Sequence, residues 1–328
     1  MDYNHLYFND GKGVMKKLKV AFLMDPLEGV KIHKDTTYVF MSEAHRRGHS
    51  LYHFLPHDLF AEHGGIMGKV RKVEMEEGER WYCLGAADTV DLKEMDAIVM
   101  REDPPFDMDY LYSTYLLGLI EREVFIMNSP RGIREANEKL YALNFPEVIP
   151  ECMVTNEIER LKTFLKEVGG RIVVKPLDSC SGRGVFALFE GDKNMSAILE
   201  MATHNEGRQI IAQRYLPEIK EGDKRLILLD GEPIGAVSRV PREGEHRGNI
   251  HVGARCEKAP VTERDRHIAE VVSDRLKQDG LHFVGIDVIG GLVTEINVTS
   301  PTGIQEINRL DGVNLEEQVI DFIEERAG

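Results

Sequence analysis

The sequence predicts an α/β protein whose second half is α+β in character. The main observation is that apolar runs of strand length alternate along the chain with amphipathic stretches of helical length. A second observation is that the later strands come in pairs joined by short turns such as Asp230-Gly231, which is typical of antiparallel sheet. The third is length: at about 150 residues per domain, 328 residues allow two domains, or two with a mobile insertion.

The first third of the chain is expected to form a small open parallel sheet. Lys19–Met24 and Ala97–Met100 are apolar runs that predict buried strands. Ligands of such sheets bind in the crevice beyond the carboxyl ends of the strands, so Asp25 and Arg101, which follow these runs, are candidate ligand-binding residues. The pattern also predicts helices over Thr36–Arg47 and Tyr110–Glu123 and a short strand over Phe125–Asn128.

From about residue 138 the pattern changes to strands separated by fewer helices. Strands are predicted at Arg171–Lys175, Gly184–Glu190, Gln209–Gln213, Lys224–Leu229, Glu232–Arg239, Phe283–Ile289 and Leu292–Val298. Helices are predicted near Glu157–Val168, Met195–Thr203 and Glu263–Gln278.

Charge argues against nucleic acid and membrane surfaces as partners. The chain carries 41 basic and 56 acidic residues, a net charge of −15, and the resulting field repels polyanions at long range. A small polyanion such as a nucleotide can still be bound, because screening over about 8 Å lets a few local cations dominate a pocket.

Cysteine usage and hydropathy predict a cytoplasmic protein. Cys83, Cys152, Cys180 and Cys256 have neither CxxC nor zinc-like spacing, so neither a disulfide framework nor a structural zinc site is expected. No apolar run reaches the roughly 18 residues of a membrane span, and the opening residues lack the apolar segment of a signal peptide. Residues 1–14 are interpreted as an extension to which no role is assigned.

Asp287, Glu295 and Asn297 form the strongest local signal. They lie on two predicted strands joined by Gly290-Gly291, and carboxylate and amide oxygens are the ligands that Mg²⁺ prefers. Glu295 and Asn297 share one strand face. A two-residue loop would send Asp287 to the opposite face, whereas a three-residue loop would pair it with Glu295, and the second is predicted. The alternative is a half-exposed hairpin with solvated polar positions.

Two lysines are candidates for phosphate binding. Lys175-Pro176 ends a β-rich run and precedes the small residues Ser179–Gly184, whose backbone N–H groups can surround phosphate oxygens. Lys139 is the second candidate. Each has an alternative interpretation, an ordinary turn for the small-residue loop and a surface lysine for Lys139.

Three further segments suggest ligand contacts. A strand that stops at Gln213 and continues as Tyr215-Leu216-Pro217 exposes backbone groups suited to an adenine edge, and Asp223-Lys224-Arg225 follows. Residues 240–256 form a long polar stretch with Arg242, Arg247 and Arg255, as in lids or linkers. The third segment is Arg101–Pro105, whose alternative interpretation is a stiff turn. The alternative for Gln213–Arg225 is a surface loop closed by a salt bridge, and the alternative for residues 240–256 is a linker.

Together these segments resemble the ATP-grasp ligases, and their full strings resemble the bacterial glutathione synthetase family. The order is Lys139, Lys175-Pro176-Leu177-Asp178, Gln213-x-Tyr-Leu-Pro, Gly222-Asp223-Lys224-Arg225, Arg247-Gly248-Asn249, Asp287 and Thr294–Pro301. Met24–Pro26, Met100–Asp107 and Asn137–Leu140 extend the likeness from about Met15 to near the C-terminus. One departure is Ser179–Gly182, where more glycine is expected.

The resemblance implies a division into an N-terminal domain at 15–137, a lid subdomain at 138–206 and a catalytic subdomain at 207–328 with a mobile loop at 240–256. It implies ATP-dependent ligation of γ-glutamylcysteine and glycine through an acyl phosphate, with Mg²⁺ or Mn²⁺, in a homotetramer. The implied ATP-binding residues are Lys139, Lys175, Gln213, Tyr215, Leu216 and Asp223; the catalytic ones are Arg225 and Arg247; the substrate-binding ones are Asp25, Arg101, Asn249, Ser300, Pro301, Thr302 and Gly303; and the metal ligands are Asp287, Glu295 and Asn297.

Three alternative functions have to be compared with this one. A ligase of the same fold that joins a different amine to a carboxylate would keep the mechanism and change the substrate-contacting residues. A nucleotide-binding regulator without chemistry would be expected to have a broken metal set, but Asp287, Glu295 and Asn297 are all present. A nucleic-acid binder would need a basic face with interleaved aromatic residues, which a chain of pI 5.3 without such a stripe does not offer.

Overall fold

The structure is a computed structural model that describes residues 16–78, 80–179, 182–242 and 253–328. Within this part of the chain the strands form a seven-stranded, a four-stranded and a five-stranded sheet. None of the described helices is both long and apolar enough to span a bilayer.

The seven-stranded sheet contains the first seven strands in the order β3-β4-β2-β1-β6-β7, with β5 paired to β4. Its strands are β1 (Lys19–Leu23), β2 (Ser50–Phe54), β3 (Leu59–Glu62), β4 (Gly65–Met75), β5 (Tyr82–Asp91), β6 (Ala97–Met100) and β7 (Phe125–Met127). Its helices are α1 (Thr36–Arg46), α2 (Met108–Gly118) and α3 (Pro130–Glu135). Asp35, Asp107 and Ser129 cap these three helices by accepting from N–H groups of the first turn.

The expectation of a purely parallel N-terminal sheet is wrong in part. β2, β1, β6 and β7 pair in parallel. β3, β4 and β5 are antiparallel additions that the sequence analysis missed. Most of β5 is exposed, so it lacks the buried apolar run on which strand prediction depended. The helix predicted at Tyr110–Glu123 begins two residues earlier and ends at Gly118.

The four-stranded sheet is antiparallel, in the order β10-β9-β11-β8. It consists of β8 (Cys152–Thr155), β9 (Arg171–Pro176), β10 (Phe186–Phe189) and β11 (Ile210–Arg214), covered by α4 (Ile158–Glu167) and α5 (Met195–Ala202). Because β11 pairs with β8 and β9, the predicted division after residue 206 would separate a strand from its sheet. The connection between this sheet and the next is the segment 215–222.

The five-stranded sheet has the order β14-β13-β12-β15-β16, and its last two strands form the hairpin of Asp287, Glu295 and Asn297, hereafter the acidic hairpin. Its strands are β12 (Asp223–Leu229), β13 (Glu232–Val240), β14 (Arg255–Lys258), β15 (Phe283–Ile289) and β16 (Leu292–Asn297), with α6 (Glu263–Gln278), α7 (Ile304–Asp311) and α8 (Leu315–Ala327). β13 and β14 therefore include both ends of the predicted loop 240–256, and residues 243–252 of it lie outside the described part.

Asn128 joins the seven-stranded sheet to the acidic hairpin. Its Nδ2 donates to the carbonyl oxygens of Phe283 and Val298, both at 2.8 Å, and its Oδ1 accepts from Phe283 N at 2.8 Å. Asn128 is 3% exposed, so these bonds satisfy an amide that would be costly to bury alone. One apolar core also runs through both regions, from Ala21 to Val298.

Candidate active site

A cavity of about 700 Å³ lies where the three sheets meet. It brings together nearly all the predicted site residues that the structure describes: Asp25, Arg101, Lys139, Lys175, Gln213, Tyr215, Leu216, Asp223, Arg225, Asp287, Glu295, Asn297, Ser300, Pro301 and Thr302. Gly303 is not among the lining residues, although a Cβ there would contact Arg225 Cγ at 3.3 Å. Arg247 and Asn249 lie outside the described residues.

The acidic hairpin brings Asp287 opposite Glu295 by a route that differs from the predicted one. The loop is two residues long, because Ile289 pairs with Leu292 across Gly290-Gly291. The register then shifts between Asp287 and Val288, so that Asp287 pairs with Glu295 and Gly285 with Asn297. The predicted pairing is therefore confirmed, but the three-residue loop is wrong. A β-bulge supplies the extra residue instead.

Arg225 and Asp287 form a bidentate ion pair across neighbouring strands β12 and β15. Arg225 Nε donates to Asp287 Oδ1 at 2.6 Å, and Nη2 donates to Oδ2 at 3.2 Å. Arg239 Nη2 lies 2.9 Å from the same Oδ1 and 2.6 Å from Asp223 Oδ2. Burial raises the pKa of Asp287, but Arg225 and Arg239 outweigh it and hold that pKa at about 2. Asp287 is therefore a permanent anion with two cationic partners.

Asp223 differs from Asp287 although both contact Arg239. Burial raises its pKa, and the neighbouring Asp287 adds to the rise, while Arg239 opposes it. Arg239 is only 5% exposed, and a buried charge needs partners of opposite sign. Asp223 and Asp287 are those partners. Asp223 therefore orients Arg239 by accepting its hydrogen bond, and both residues line the cavity.

Lys139 lies beside Glu295 on the other wall of the cavity. Its Nζ is 3.0 Å from Glu295 Oε1 and donates to the Ser179 carbonyl at 2.6 Å. Lys175, on β9 of the four-stranded sheet, is half-buried, and desolvation lowers its pKa while Glu295 opposes that shift. Two lysines from different segments thus converge on one carboxylate.

The Gln213–Leu216 segment is partly engaged within the chain. Gln213 is 4% exposed and lies in the ladder of β11. Tyr215 N donates to Arg171 O at 3.1 Å, and Leu216 O accepts from Ile219 N at 3.2 Å. Some of the backbone groups expected to read an adenine therefore have partners within the chain, and the side chains line the cavity.

Arg101 reaches the cavity from the carboxyl end of β6. Its Nε donates to Thr37 Oγ1 at 3.0 Å, and its Nη2 donates to the Pro301 carbonyl at 3.0 Å. Its guanidinium carbon is 5.9 Å from the Phe40 ring centroid and 5.7 Å from that of Phe283. Asp25 Oδ2 accepts from Asp103 N at 2.8 Å, and Ser300 Oγ donates to Asp103 Oδ1.

The lining also includes residues that the sequence did not single out as candidates, among them Glu138, Arg239, Asp103 and Glu306. Glu138 Oε1 accepts from Val298 N, Thr299 N and Thr299 Oγ1 at 3.0, 3.2 and 2.8 Å. Glu138 precedes Lys139, and Asp103 is two residues from Arg101. Their closeness in sequence to candidate residues could have identified them. Arg239 and Glu306 become visible only through long-range contacts.

The structure has the fold of ATP-grasp proteins. The structure is similar to that of D-cycloserine synthetase DcsG, with a TM-score of 0.65 at 15% identity over 94% of this chain and 100% of that one. It is also similar to a RimK domain ATP-grasp protein from Sphaerobacter thermophilus, with a TM-score of 0.61 at 16% identity over 93% and 98% of the two chains.

The sequence gives the narrower assignment. Residues 18–134 match the prokaryotic glutathione synthetase N-terminal domain, and residues 138–312 match the ATP-grasp domain of the same family. Proteins named glutathione synthetase from Gloeobacter violaceus and Vibrio cholerae are 46% and 42% identical over 94% of this chain, covering 97% and 98% of their own lengths. The chain belongs to the prokaryotic glutathione synthetase family, which confirms the predicted resemblance and fold class.

Proposed function

We propose that this chain is an ATP-dependent ligase that joins γ-glutamylcysteine to glycine, giving glutathione, ADP and phosphate. Family membership supports the reaction. The observation that carries it at the level of residues is the convergence of Lys139, Lys175, Arg225 and Arg239 on a cavity that also contains Asp287 and Glu295.

The charge distribution suits the chemistry. A carboxylate is a poor acyl donor, so ATP first converts the cysteinyl carboxylate into an acyl phosphate, which the neutral amine of glycine then attacks. Two anions have to approach each other in the first step, and fixed cations lower the cost of that approach. Arg225 is held by Asp287 and by the Thr302 carbonyl at 3.1 Å, so it is oriented before any ligand arrives. We assign Arg225 to the reacting phosphate and Lys139 and Lys175 to the nucleotide phosphates.

Asp287, Glu295 and Asn297 fit a divalent cation by donor chemistry. Two carboxylates and an amide supply hard oxygen atoms, and the low pKa of Asp287 keeps that group ionised. Asn297 Nδ2 donates to Gly285 O at 3.2 Å, which directs the amide oxygen away from that backbone. The described residues contain no group of three or more His, Cys, Asp or Glu suited to a metal, so the set depends on Asn297. We propose Mg²⁺ or Mn²⁺ here, which when bound would neutralise phosphate charge.

The remaining assignments are proposals of the same kind. Gln213, Tyr215, Leu216 and Asp223 border the nucleotide, and Ser300, Pro301, Thr302 and Gly303 border the acceptor side. Arg247 and Asn249 are assigned to the peptide and glycine sites from sequence alone. We also propose a cytoplasmic location and the division of residues 138–328 at the segment 215–222.

We also propose a homotetramer, and one surface feature supports self-association of the chain. Met108, Tyr112, Tyr115 and Leu119 follow one another at helical spacing along α2 and just beyond it. They are 54%, 54%, 53% and 68% exposed, so they form an apolar stripe (hereafter the α2 stripe) that is large for a surface helix. We propose that the α2 stripe packs against a second copy of this chain.

Phosphate release tests the reaction. The full chain is incubated with ATP, Mg²⁺ and γ-glutamylcysteine, with and without glycine, beside a panel of other dipeptides and amines. Release that requires both substrates, with glutathione as product, is expected. Turnover with another dipeptide and amine alone would mean that the ligase has different substrates. ATP binding without turnover on any pair of substrates would contradict ligase activity.

A further inference from the structure

One glutamate side chain anchors the loop of residues 298–303 (hereafter the 298–303 loop), which connects β16 to α7. This residue is Glu138, which has no part in the proposed binding of ATP, metal or peptide. We propose that Glu138 is a positioning residue of the ligation: it fixes the 298–303 loop so that the loop borders the acceptor amine and orients Arg225. The inference rests on the proposed function, because that function places glycine beside this loop.

The first observation is the number of hydrogen bonds that a single oxygen atom of Glu138 accepts. Its Oε1 accepts from Val298 N at 3.0 Å, from Thr299 N at 3.2 Å and from Thr299 Oγ1 at 2.8 Å. Val298 and Thr299 are buried, so these donors need a partner within the protein. Hydrogen bonds from backbone N–H groups to an ionised carboxylate are stronger than those to a neutral acceptor. Glu138 therefore fixes the beginning of the 298–303 loop.

The backbone around Glu138 is itself held in place. Ile296 N donates to Glu138 O at 2.9 Å, so Glu138 contacts the end of β16 through its main chain as well as its side chain. The preceding residue, Asn137, accepts from Lys139 N at 3.1 Å and from Leu140 N at 3.0 Å through Oδ1. These bonds fix the chain on both sides of Glu138, so its carboxylate extends from a defined point.

The 298–303 loop in turn holds two arginines of the cavity. Arg225 Nη1 donates to Thr302 O at 3.1 Å, and Arg101 Nη2 donates to Pro301 O at 3.0 Å. The two guanidinium groups, one from each half of the protein, therefore use consecutive carbonyls of this loop. A displacement that begins at Thr299 would move both carbonyls, and with them the orientation of Arg225 toward the reacting phosphate.

A direct chemical role for Glu138 is the alternative that the experiment has to separate from positioning. Glu138 lines the cavity, and a carboxylate there could bind an ammonium group or accept a proton. Burial raises the pKa of Glu138, and Glu295 adds to the rise. Both chemical roles need a carboxylate, whereas positioning needs only an oxygen atom directed at the three donors. Glutamine supplies that oxygen without the charge, so Glu138→Gln distinguishes the two roles.

Steady-state kinetics of the full chain test the proposal. Glutathione formation is measured while glycine and ATP are varied in turn, with γ-glutamylcysteine and Mg²⁺ at saturation. For Glu138→Ala we expect kcat/KM for glycine to fall about 10-fold to 100-fold, with a higher KM for glycine, because a misplaced loop no longer borders the amine correctly. The KM for ATP should change less than about 2-fold, since Lys139, Lys175 and Gln213 are unaltered. Glu138→Gln should stay within about 3-fold of wild type for every constant.

Two further variants and a second measurement complete the test. Thr299→Val removes the hydroxyl donor but keeps both backbone bonds, so it should lose less activity than Glu138→Ala. Glu147→Ala is the matched control, because it removes an exposed carboxylate from the same connection between α3 and β8. Hydrogen exchange followed by mass spectrometry should show faster exchange in the peptide that contains Val298 and Thr299 for Glu138→Ala only. Thermal unfolding gives the folded fraction of each variant.

The outcomes are distinct. If the wild type forms no glutathione, the proposed function fails and the acceptor role of the loop is overturned with it, whereas hydrogen exchange still decides whether Glu138 anchors the loop. If the wild type is active, loss in Glu138→Gln equal to that in Glu138→Ala would overturn positioning in favour of a role for the charge. Unchanged exchange in Glu138→Ala would overturn the anchor. A fall in kcat that matches the unfolded fraction, with both KM values unchanged, would reduce Glu138 to a structural residue and overturn the proposal.

Discussion

Lys139 Nζ and Glu295 Oε1 lie 3.0 Å apart, so a lysine assigned to phosphate and a carboxylate assigned to the metal are each other's counter-ions. Lys139 is 5% exposed, and the ion pair offsets the cost of burying its charge. In the proposed site, binding of nucleotide and cation would replace this ion pair by two others, Lys139 with a phosphate and Glu295 with the metal ion. Without ligands, each of these two charges is therefore balanced by the other.

Glu295→Gln should lower turnover about 100-fold or more while the fold remains intact. The variant loses a charged metal ligand, but Lys139 keeps its bond to the Ser179 carbonyl. Turnover is measured across a Mg²⁺ titration together with thermal unfolding. Glu232→Gln, at an exposed strand position, is the control. Near-normal turnover at saturating Mg²⁺ would contradict the metal assignment.

Asp287→Asn should destabilise the fold by about 3–5 kcal/mol, because it leaves Arg225 and Arg239 buried with one counter-ion fewer. The free energy of unfolding in urea measures the effect. Asp274→Asn on the exposed face of α6 should change it by less than about 0.5 kcal/mol. If Asp287→Asn lowers the free energy of unfolding no more than Asp274→Asn does, the buried arginines do not need the charge of Asp287 as a counter-ion.

Glu102→Gln should alter the pH dependence of stability. The folded-state pKa of Glu102 is about 8 against an ordinary 4.5, so between these values the unfolded chain releases a proton that the folded chain retains. Wild-type stability therefore falls as pH rises through this window. Glutamine cannot ionise, so the variant should gain on the order of 1–2 kcal/mol relative to wild type between pH 5 and pH 8. Urea unfolding at the two pH values measures this, and an equal difference at both would refute it.

Gly132→Ala should destabilise the contact between α3 and the C-terminal half. A Cβ at Gly132 would overlap the backbone oxygen of Asp279 and contact Leu281 Cδ2 at 3.0 Å. Overpacking of this kind costs about 1–3 kcal/mol. Gly29→Ala is the matched control, because nothing lies within 4 Å of its Cβ position. Thermal unfolding of both variants makes the comparison, and equal melting temperatures would argue against a tight contact.

Tyr112→Lys combined with Leu119→Lys should dissociate the proposed assembly. The two substitutions place charges within the α2 stripe, and burying them in an interface without partners is costly. Sedimentation velocity should show a smaller particle than wild type. Lys193→Glu, at an exposed position between β10 and α5, should leave the particle size unchanged. If wild type is already monomeric, the proposed role of the α2 stripe is wrong.

Much of the site follows from sequence, because its residues lie at strand ends and on strand faces. Alternation along β16 places Glu295 and Asn297 on one face, and β1 and β6 lead into Asp25 and Arg101. The sequence could not reveal the bulge beside Asp287, because a bulge depends on cross-strand packing and has no residue signature here. Arg239 was missed for a related reason: its partners Asp223 and Asp287 are distant in the chain. The exposed strand β5 escaped notice because it carries little apolar signal.

The three hydrogen bonds of Asn128 have a consequence for how ligands enter and leave. They fasten the seven-stranded sheet to β15 and to Val298, the residue after β16, so the seven-stranded and five-stranded sheets are joined at this point. The four-stranded sheet carries Lys175 on a separate hydrophobic core. We therefore expect any movement that opens the cavity to displace the four-stranded sheet relative to the other two sheets.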